Sequence, residues 1–343
     1  MSTPSRHELP NPGGPASPRR IYIVCAAFTQ TGGPEALHQL GRALVDLGHD
    51  VAMVYVNLDL TPTVSEGAVH FPTLEQPMPA AYARYDLPHG WQIEDEPNVA
   101  VVVPEMWPSL IKYFSRATPY LWWLSVDNAR KAVDSFGGIA AIRASRAVHL
   151  CQSYYALQYV SENGTYGLPL FDYTSPDHMS PIDGPLERRV DRILYPAKGR
   201  WFTEQLRRWA PRLNWQEISG FTPEQVANLF RTSRLYVDFG AHPGKDRMPR
   251  EAAIQGCCIL TGRRGSAANP LDIPIPDRYK FRDSRLMIPR IIPAIRATVA
   301  EYDVRIADFA VYRATIRAEQ REFILQAMRI FGGRLELPPA DED

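Results

Sequence analysis

The sequence lacks net charge. Its 38 acidic and 38 basic side chains cancel in a chain of 343 residues. A chain without an overall positive field has nothing that would hold nucleic acid or an anionic membrane along its whole length. We therefore expect no nucleic-acid partner, and any anion site has to be local.

Long apolar runs are also missing, since none approaches the roughly 20 residues needed to cross a bilayer. The chain has four cysteines without CxxC spacing, which favours a reduced, cytoplasmic protein over a disulfide framework or a zinc site. Residues 1–19 are rich in Pro, Ser and Gly, and we expect a disordered leader there and not a signal peptide.

Two nucleotide-binding fingerprints are absent as well. The glycine loop "TQTGG" at 29–33 precedes a helical pattern, but it matches neither GxGxxG nor GxxxxGK[ST]. The sequence therefore supports neither a dinucleotide fingerprint nor a P-loop. Gly32 and Gly33 still offer a backbone nest for an anion at the start of a helix.

Strand-like and helix-like segments alternate along most of the chain. "RIYIVCAAF", the glycine loop, a helix with leucines at helical spacing, and "VAMVYVN" open the series. This order is typical of a doubly wound α/β domain with a parallel sheet. We also expect a helix near 107–116, a strand at 120–128 and a helix near 136–145.

A stretch with three prolines at 176–188 separates the first series from a second one of the same kind. The sequence predicts two Rossmann-like domains facing across a cleft. The predicted boundaries are 20–180 for the N-terminal domain and 188–285 for the C-terminal domain, with a helical segment at 286–332 that packs on both.

The loop "DFGAHPGKDRMPREAAIQG" carries a local concentration of positive charge. Lys245, Arg247 and Arg250 surround the start of a helix, where free N–H groups and the helix dipole already favour an anion. Glu251 lies in the same turn, and a carboxylate there suits a ribose diol or the helix dipole itself. His242, which we expect to be held extended before Pro243, is a further candidate.

Two more loops follow strands in the C-terminal half. "YPAKGRWF" places Lys198, Gly199 and Arg200 between a strand and a helix, and "GRRGSAAN" contains Gly265 and Ser266. Glycine lets a backbone approach a phosphate closely, although each loop on its own is also consistent with simple turn chemistry.

Two acidic residues in the N-terminal half are candidate general bases. Glu105 in "VVVPEMWP" and Asp127 in "LWWLSVDN" each follow a buried-type strand. Either needs a raised pKa and reach to a hydroxyl, and the alternative for both is a loop or capping role.

Three segments resemble nucleotide-sugar glycosyltransferases of the GT-B fold, of the type that builds bacterial surface polysaccharides. They are "GGPEALHQLGRALVDLGHDVAMVY", "ILYPAKGRWFTEQL" and "RTSRLYVDFGAHPGKDRMPREAAIQGCCILTGRRGSA". The final helices resemble the C-terminal helices of that fold, which cross back onto the first domain.

The resemblance implies site roles for matching residues. Glu251 would hold the donor ribose, Lys198 and Arg247 would hold the diphosphate, and Gly32 and Gly33 would close over it. A second Glu that retaining members carry is replaced here by Pro243, so stereochemistry stays open. The His-Pro pair at 242–243 is similar to one in enzymes that use CMP-activated sugars, which leaves the base of the donor open.

The implied function is transfer of a sugar from a nucleotide-sugar donor to a saccharide or lipid-linked saccharide acceptor, without metal or cofactor. A nucleotide-sugar epimerase of the same fold and a non-catalytic binding or scaffold protein remain alternatives. Arginines in the last helices also allow peripheral contact with the inner face of a membrane, although a solvated helix face explains them equally simply.

Overall fold

The computed structural model describes residues 17–57, 61–176, 179 and 189–333. Most of the predicted leader and most of the Pro-rich linker lie outside these residues. The predicted domain boundaries at 180 and 188 fall there too, and they stay predictions.

The N-terminal half is built on a parallel sheet. Within the described residues this sheet has seven strands, namely β1 (Arg20–Ala26), β2 (Asp50–Val56), β5 (His89–Gly90), β7 (Val99–Pro104), β8 (Thr118–Trp123), β9 (Val148–Cys151) and β10 (Gly167–Pro169). Their order is β10-β9-β8-β7-β1-β2-β5. The order reverses beside β1, so the carboxyl ends of β1 and β7 flank the point where a doubly wound sheet binds ligands.

The polar stretch after β2 forms a small antiparallel sheet. It contains β3 (Thr63–Ser65), β4 (Ala68–His70) and β6 (Gln92–Glu94), and β4 pairs with both of the others. Strands of three residues are too short to produce a readable period in the sequence.

Helices cover both faces of the seven-stranded sheet. They are α1 (Gly32–Asp46), α2 (Val126–Phe136), α3 (Gly138–Ala144) and α4 (Tyr154–Glu162), with 3-10 turns at Ala80–Tyr85 and Pro108–Tyr113. The helix expected near 107–116 is the second of these turns, and the strand expected to reach 128 ends at Trp123. Gly137 and Gly138 have φ of +117° and +80°, so one helical stretch is divided into α2 and α3.

The C-terminal half repeats the architecture on a smaller scale. Its four parallel strands are β11 (Val190–Pro196), β12 (Asn214–Ile218), β13 (Ser233–Asp238) and β14 (Cys258–Thr261), in the order β12-β11-β13-β14. The flanking helices are α5 (Arg200–Trp209), α6 (Pro223–Thr232) and α7 (Arg247–Ile254). The Thr222 side chain and Gln225 form a reciprocal capping box at the start of α6.

The last helices join the two halves. They are α8 (Ile288–Ala300), α9 (Tyr302–Arg305) and α10 (Ala310–Phe331). Tyr312 and Ile316 of α10 belong to the C-terminal core, whereas Phe323 and Phe331 belong to the N-terminal core. The predicted fold, with two doubly wound domains and helices that cross back, is confirmed.

Across the described residues, no helix has the length and apolar character that a membrane span requires.

Candidate active site

A cleft of about 890 Å³ lies between the two halves. Its walls come from loops that follow the carboxyl ends of β1, β7, β8 and β9 on one side and of β11 and β13 on the other. Parallel strands direct their carboxyl ends to one edge of each sheet, so both domains present their ligand-binding edges to the same space.

The C-terminal wall carries Lys198, Arg247 and Glu251. Arg247 is the first residue of α7, and its Nε donates to Glu251 Oε1 at 3.2 Å. Lys198 keeps an exposed side chain, with its Nζ 3.8 Å from Asp246 Oδ1. Two cations thus face the cleft beside a helix start, which is an arrangement suited to phosphate oxygens.

The N-terminal wall brings a second helix start to the same place. Gly32 and Gly33 are the first residues of α1 and line the cleft. A Cβ on Gly32 would lie 3.4 Å from Arg247 Cδ, which is van der Waals contact. The two helix starts therefore lie next to each other across the cleft.

Glu105 lies on the N-terminal wall, directly after β7. Its carboxylate is buried and accepts a hydrogen bond from the Leu124 N–H to Oε2 at 3.0 Å. Burial raises the pKa of Glu105 to about 7, and backbone N–H groups of Leu124 and Ser125 oppose this only in part. A cleft carboxylate with that pKa can take a proton near neutral pH.

Comparison with known proteins identifies this architecture. No known family profile matches the chain, and no curated protein matches it by sequence, whereas solved structures do match it. A point mutant of TarM from S. aureus, in complex with fondaparinux, α-GlcNAc-glycerol and UDP, has a TM-score of 0.59 at 7% identity, over 92% of this chain and 100% of that one.

Two further structures agree with the first. HepE of Anabaena, in complex with UDP and glucose, has a TM-score of 0.58 at 7% identity over 89% and 97% of the two chains. The lipopolysaccharide outer core galactosyltransferase WaaB has a TM-score of 0.57 at 10% identity over 89% and 99%. All three are GT-B glycosyltransferases.

The chain has the GT-B fold. At these identities the likeness establishes the fold and not the substrate.

Several residues predicted from sequence do not face the GT-B cleft. Asp127 lies in the first turn of α2 instead of a loop, and its Oδ1 accepts a hydrogen bond from the Tyr155 hydroxyl at 2.8 Å. Arg200 begins α5 and pairs with Glu217 at 3.4 Å. Neither lines the cleft, whereas Asn128, one residue after Asp127, does.

His242 also differs from the prediction, in both its backbone conformation and its position. It is not held extended, since its φ is +48°, and its ring is completely buried. Its ring nitrogens lie 3.4 Å from Asp238 Oδ1 and 2.9 Å from Asp246 Oδ2. Burial alone would lower the pKa of His242, but the two carboxylates raise it to about 10. The histidine is a buried cation that holds the loop together.

Lys245 and Arg250 turn away from the position expected for a diphosphate. Arg250 is 1% exposed and donates to Asp172 Oδ2 at 2.9 Å and Glu319 Oε2 at 3.1 Å. Lys245 lines the cleft, but its Nζ lies 3.0 Å from Glu319 Oε1 and donates to the Asp172 carbonyl at 2.9 Å. We call these four residues the interdomain seam, because they join α7, α10 and the segment after β10.

The remaining predicted glycines and Ser266 shape loops and lie outside the cleft. Gly199 has φ of +73°, and a Cβ there would come within 2.6 Å of Gly240 Cα. A Cβ on Gly265 would come within 2.0 Å of the His242 carbonyl oxygen. Ser266 is buried and donates to the Gly244 carbonyl at 2.6 Å. These residues fix the path of the loop before α7.

Sequence reasoning missed Gln152, Asp172 and Glu319. Gln152 follows β9, lines the cleft, and accepts a hydrogen bond from the Lys245 N–H at 3.1 Å. Its position after a parallel strand was a usable signal. Asp172 and Glu319 had no such signal, because each meets its partners only after the two halves come together.

Proposed function

We propose that this protein is a glycosyltransferase that moves a sugar from a nucleotide-sugar donor to a hydroxyl of a saccharide or lipid-linked saccharide, in the synthesis of a cell-surface polysaccharide. The observation that carries the proposal is the two-sided cleft. Lys198, Arg247 and Glu251 lie on one wall, and Glu105 lies on the other.

The donor is proposed to bind the C-terminal wall. Its diphosphate would lie at the start of α7 between Lys198 and Arg247, and the Glu251 carboxylate would accept hydrogen bonds from the ribose hydroxyls. Fixed cations and helix N–H groups stabilise the charge that develops on the departing nucleotide. In this proposal they supply the positive charge without a metal ion.

The acceptor is proposed to bind the N-terminal wall. Its hydroxyl oxygen attacks the anomeric carbon while the bond from that carbon to the phosphate oxygen breaks. The nucleoside diphosphate leaves with the bonding electrons, and the hydroxyl proton passes to Glu105. A base on the acceptor side is what an inverting displacement requires, and the pKa of about 7 suits the role.

The solved neighbours support this assignment by analogy of fold. HepE was crystallised with UDP and glucose, TarM with UDP and two saccharide compounds, and WaaB is a lipopolysaccharide galactosyltransferase. A cytoplasmic location is part of the proposal, since the four cysteines are free thiols and buried.

The first test is thermal-shift screening against UDP, GDP, dTDP, ADP and CMP, with the wild type and three variants. Glu251→Ala should lower the affinity for the nucleotide that the wild type binds by about 10- to 100-fold, because hydrogen bonds to a charged acceptor are lost. In the turnover assay that follows, Lys198→Ala should lower the rate about 100-fold, because a cation that stabilises the charge on the departing nucleotide is lost. Arg200→Ala is the matched control, since this exposed cation two residues away lies outside the cleft.

Turnover then decides among the functions. A glycosylated acceptor supports the transferase, an isomerised donor would establish an epimerase, and nucleotide binding without any product would indicate a sensor or scaffold. Unchanged nucleotide affinity in Glu251→Ala would remove the ribose role proposed for that residue.

A further inference from the structure

Helix α5 exposes two tryptophans on the outside of the C-terminal domain. Trp201 is 51% exposed and Trp209 is 64% exposed, while Phe202 and Leu206 of the same helix are buried in the core. Eight residues of α-helix return to within about 80° of the starting direction, so the two indoles share one outward side. Large aromatic groups grouped on a surface mark a contact with another phase or partner.

The turn before α8 extends this aromatic surface. Arg285 donates to Gln205 Oε1 of α5 at 2.9 Å, which places the turn against the helix. The next residue, Leu286, is 88% exposed. Arg264 lies over the Trp201 ring at 5.7 Å. We call Trp201, Trp209, Leu286 and the cations around them the α5 face.

The charges on the α5 face are unbalanced. Its acidic groups are already paired, Glu204 with Arg207, Glu217 with Arg200, and Asp283 with Arg264. Arg208 of α5, Arg212 in the exposed turn that follows α5, and Arg285 form no ion pair with an acidic side chain in the part of the chain that the structure describes. The face therefore carries a local excess of positive charge although the whole chain is neutral.

The outward side of α10 is a useful contrast. Arg317 and Arg321 are exposed there, and the exposed positions around them are Val311, Ala314, Thr315, Ala318, Gln320 and Glu322. This side has cations without an aromatic anchor, as a solvated helix face does. The arginines of the last helices, which the sequence suggested for membrane contact, lack the second component that the α5 face has.

We propose that the α5 face docks on an anionic lipid bilayer. Indole rings prefer the boundary between headgroups and acyl chains, and each arginine near an anionic leaflet adds attraction that salt screens. Together they provide the two signals that reversible surface binding needs.

The position of the α5 face gives this docking a consequence for the cleft. Helix α5 begins two residues after Lys198, which lines the C-terminal wall. A bilayer against α5 therefore lies beside one edge of the cleft. The docking itself requires no transfer chemistry, so it stands or falls independently of the proposed reaction.

The test is co-sedimentation of the full chain with phosphatidylcholine vesicles, with and without phosphatidylglycerol. Binding should require phosphatidylglycerol and decline with salt. Arg208→Glu with Arg212→Glu should weaken it by about 100-fold or more. Trp209→Ala keeps the charge and should weaken it by about 10-fold, because an interfacial anchor is lost.

The matched control is Arg317→Glu with Arg321→Glu, which makes the same charge change on α10 and should bind vesicles nearly as the wild type does. Thermal unfolding and nucleotide response of each variant establish that the fold is intact. Equal loss in both double variants would overturn the proposal, because it would mean that only net charge matters. So would absence of vesicle binding, capture by a soluble acidic polysaccharide instead, or a Trp209-dependent dimer.

Discussion

Two buried glutamates, Glu105 in the cleft and Glu319 in the interdomain seam, have pKa values that are shifted in opposite directions. Both are almost inaccessible to water. Burial raises the pKa of Glu105 to about 7. Burial alone would also raise the pKa of Glu319, but Arg250 and Lys245 hold it below its usual value.

The neighbours of these two carboxylates distinguish a reactive position from a structural one in this molecule. The seam carboxylate meets fixed cations and stays ionised, so it stabilises the junction of the domains. The cleft carboxylate meets only neutral N–H donors in its surroundings, so its proton is exchangeable near neutral pH. Partners, and not depth of burial, decide between the two roles.

The largest expected effect comes from breaking the seam. Arg250→Met leaves the Asp172 and Glu319 carboxylates buried without their shared partner, and should cost about 3–5 kcal/mol of unfolding free energy. Urea denaturation measures this. A loss below about 1 kcal/mol would show that water enters the junction and that the seam is not a stabilising contact.

Replacing the cleft carboxylate of Glu105 should raise the free energy of unfolding at high pH, whereas Arg250→Met lowers it. With a folded pKa of about 7 against an unfolded value near 4.5, Glu105 binds its proton more tightly in the folded state. Its contribution is present below the unfolded pKa and is lost as pH rises to about 7. The difference amounts to about 3 kcal/mol.

Glu105→Gln should therefore unfold at higher denaturant than the wild type at pH 8 and show no such advantage at pH 4. In turnover, the wild-type kcat/KM should rise with pH through about 7, and the variant should lose activity by at least about 100-fold. A flat pH profile with full activity in the variant would exclude Glu105 as the base.

A smaller effect is expected from a second contact across the domains. Asp272 of the C-terminal half accepts hydrogen bonds from the Tyr154 and Tyr155 N–H groups at 2.8 Å each, and so caps α4 of the N-terminal half. Asp272→Ala should cost about 1 kcal/mol, as loss of a helix cap does. Hydrogen exchange at the first turn of α4 would locate the effect, and unchanged protection there would contradict it.

The smallest effect on stability is expected for Arg247→Met, the matched partner of Arg250→Met on the same helix. Arg247 is partly exposed and pairs with its helical neighbour Glu251, so unfolding should change by about 0.5 kcal/mol or less. Nucleotide affinity should nevertheless fall about 10-fold by calorimetry. Equal destabilisation by Arg247→Met and Arg250→Met would contradict the assignment of Arg250 to a structural role and of Arg247 to a binding role.

Sequence reasoning identified the fold because strands, glycine loops and helices alternate with clear periods. It also identified the cleft loops after β1, β7, β8, β11 and β13, since these follow parallel strands. It missed the cleft loop after β9, and the predicted loop with Gly265 and Ser266 lies outside the cleft. Arg247 and Arg250 are three residues apart and look alike in sequence. Only distant partners, Asp172 and Glu319, separate them, and these partners meet only in the folded chain. Asp127 was misassigned because apolar residues continue from β8 into α2 and conceal the boundary.

Helix α10 has a consequence for the order in which the chain acquires its structure. Phe323 stacks near Trp122 with ring centroids 6.3 Å apart, and Phe331 lies against Tyr120 at 4.9 Å. The core of the first domain is thus completed by aromatic side chains that are synthesised some two hundred residues after the strand they contact. A nascent chain halted before α10 would leave the apolar side chains of Tyr120 and Trp122 without these partners. Cutting the connection between the halves would leave the N-terminal fragment without them until the two fragments reassociate.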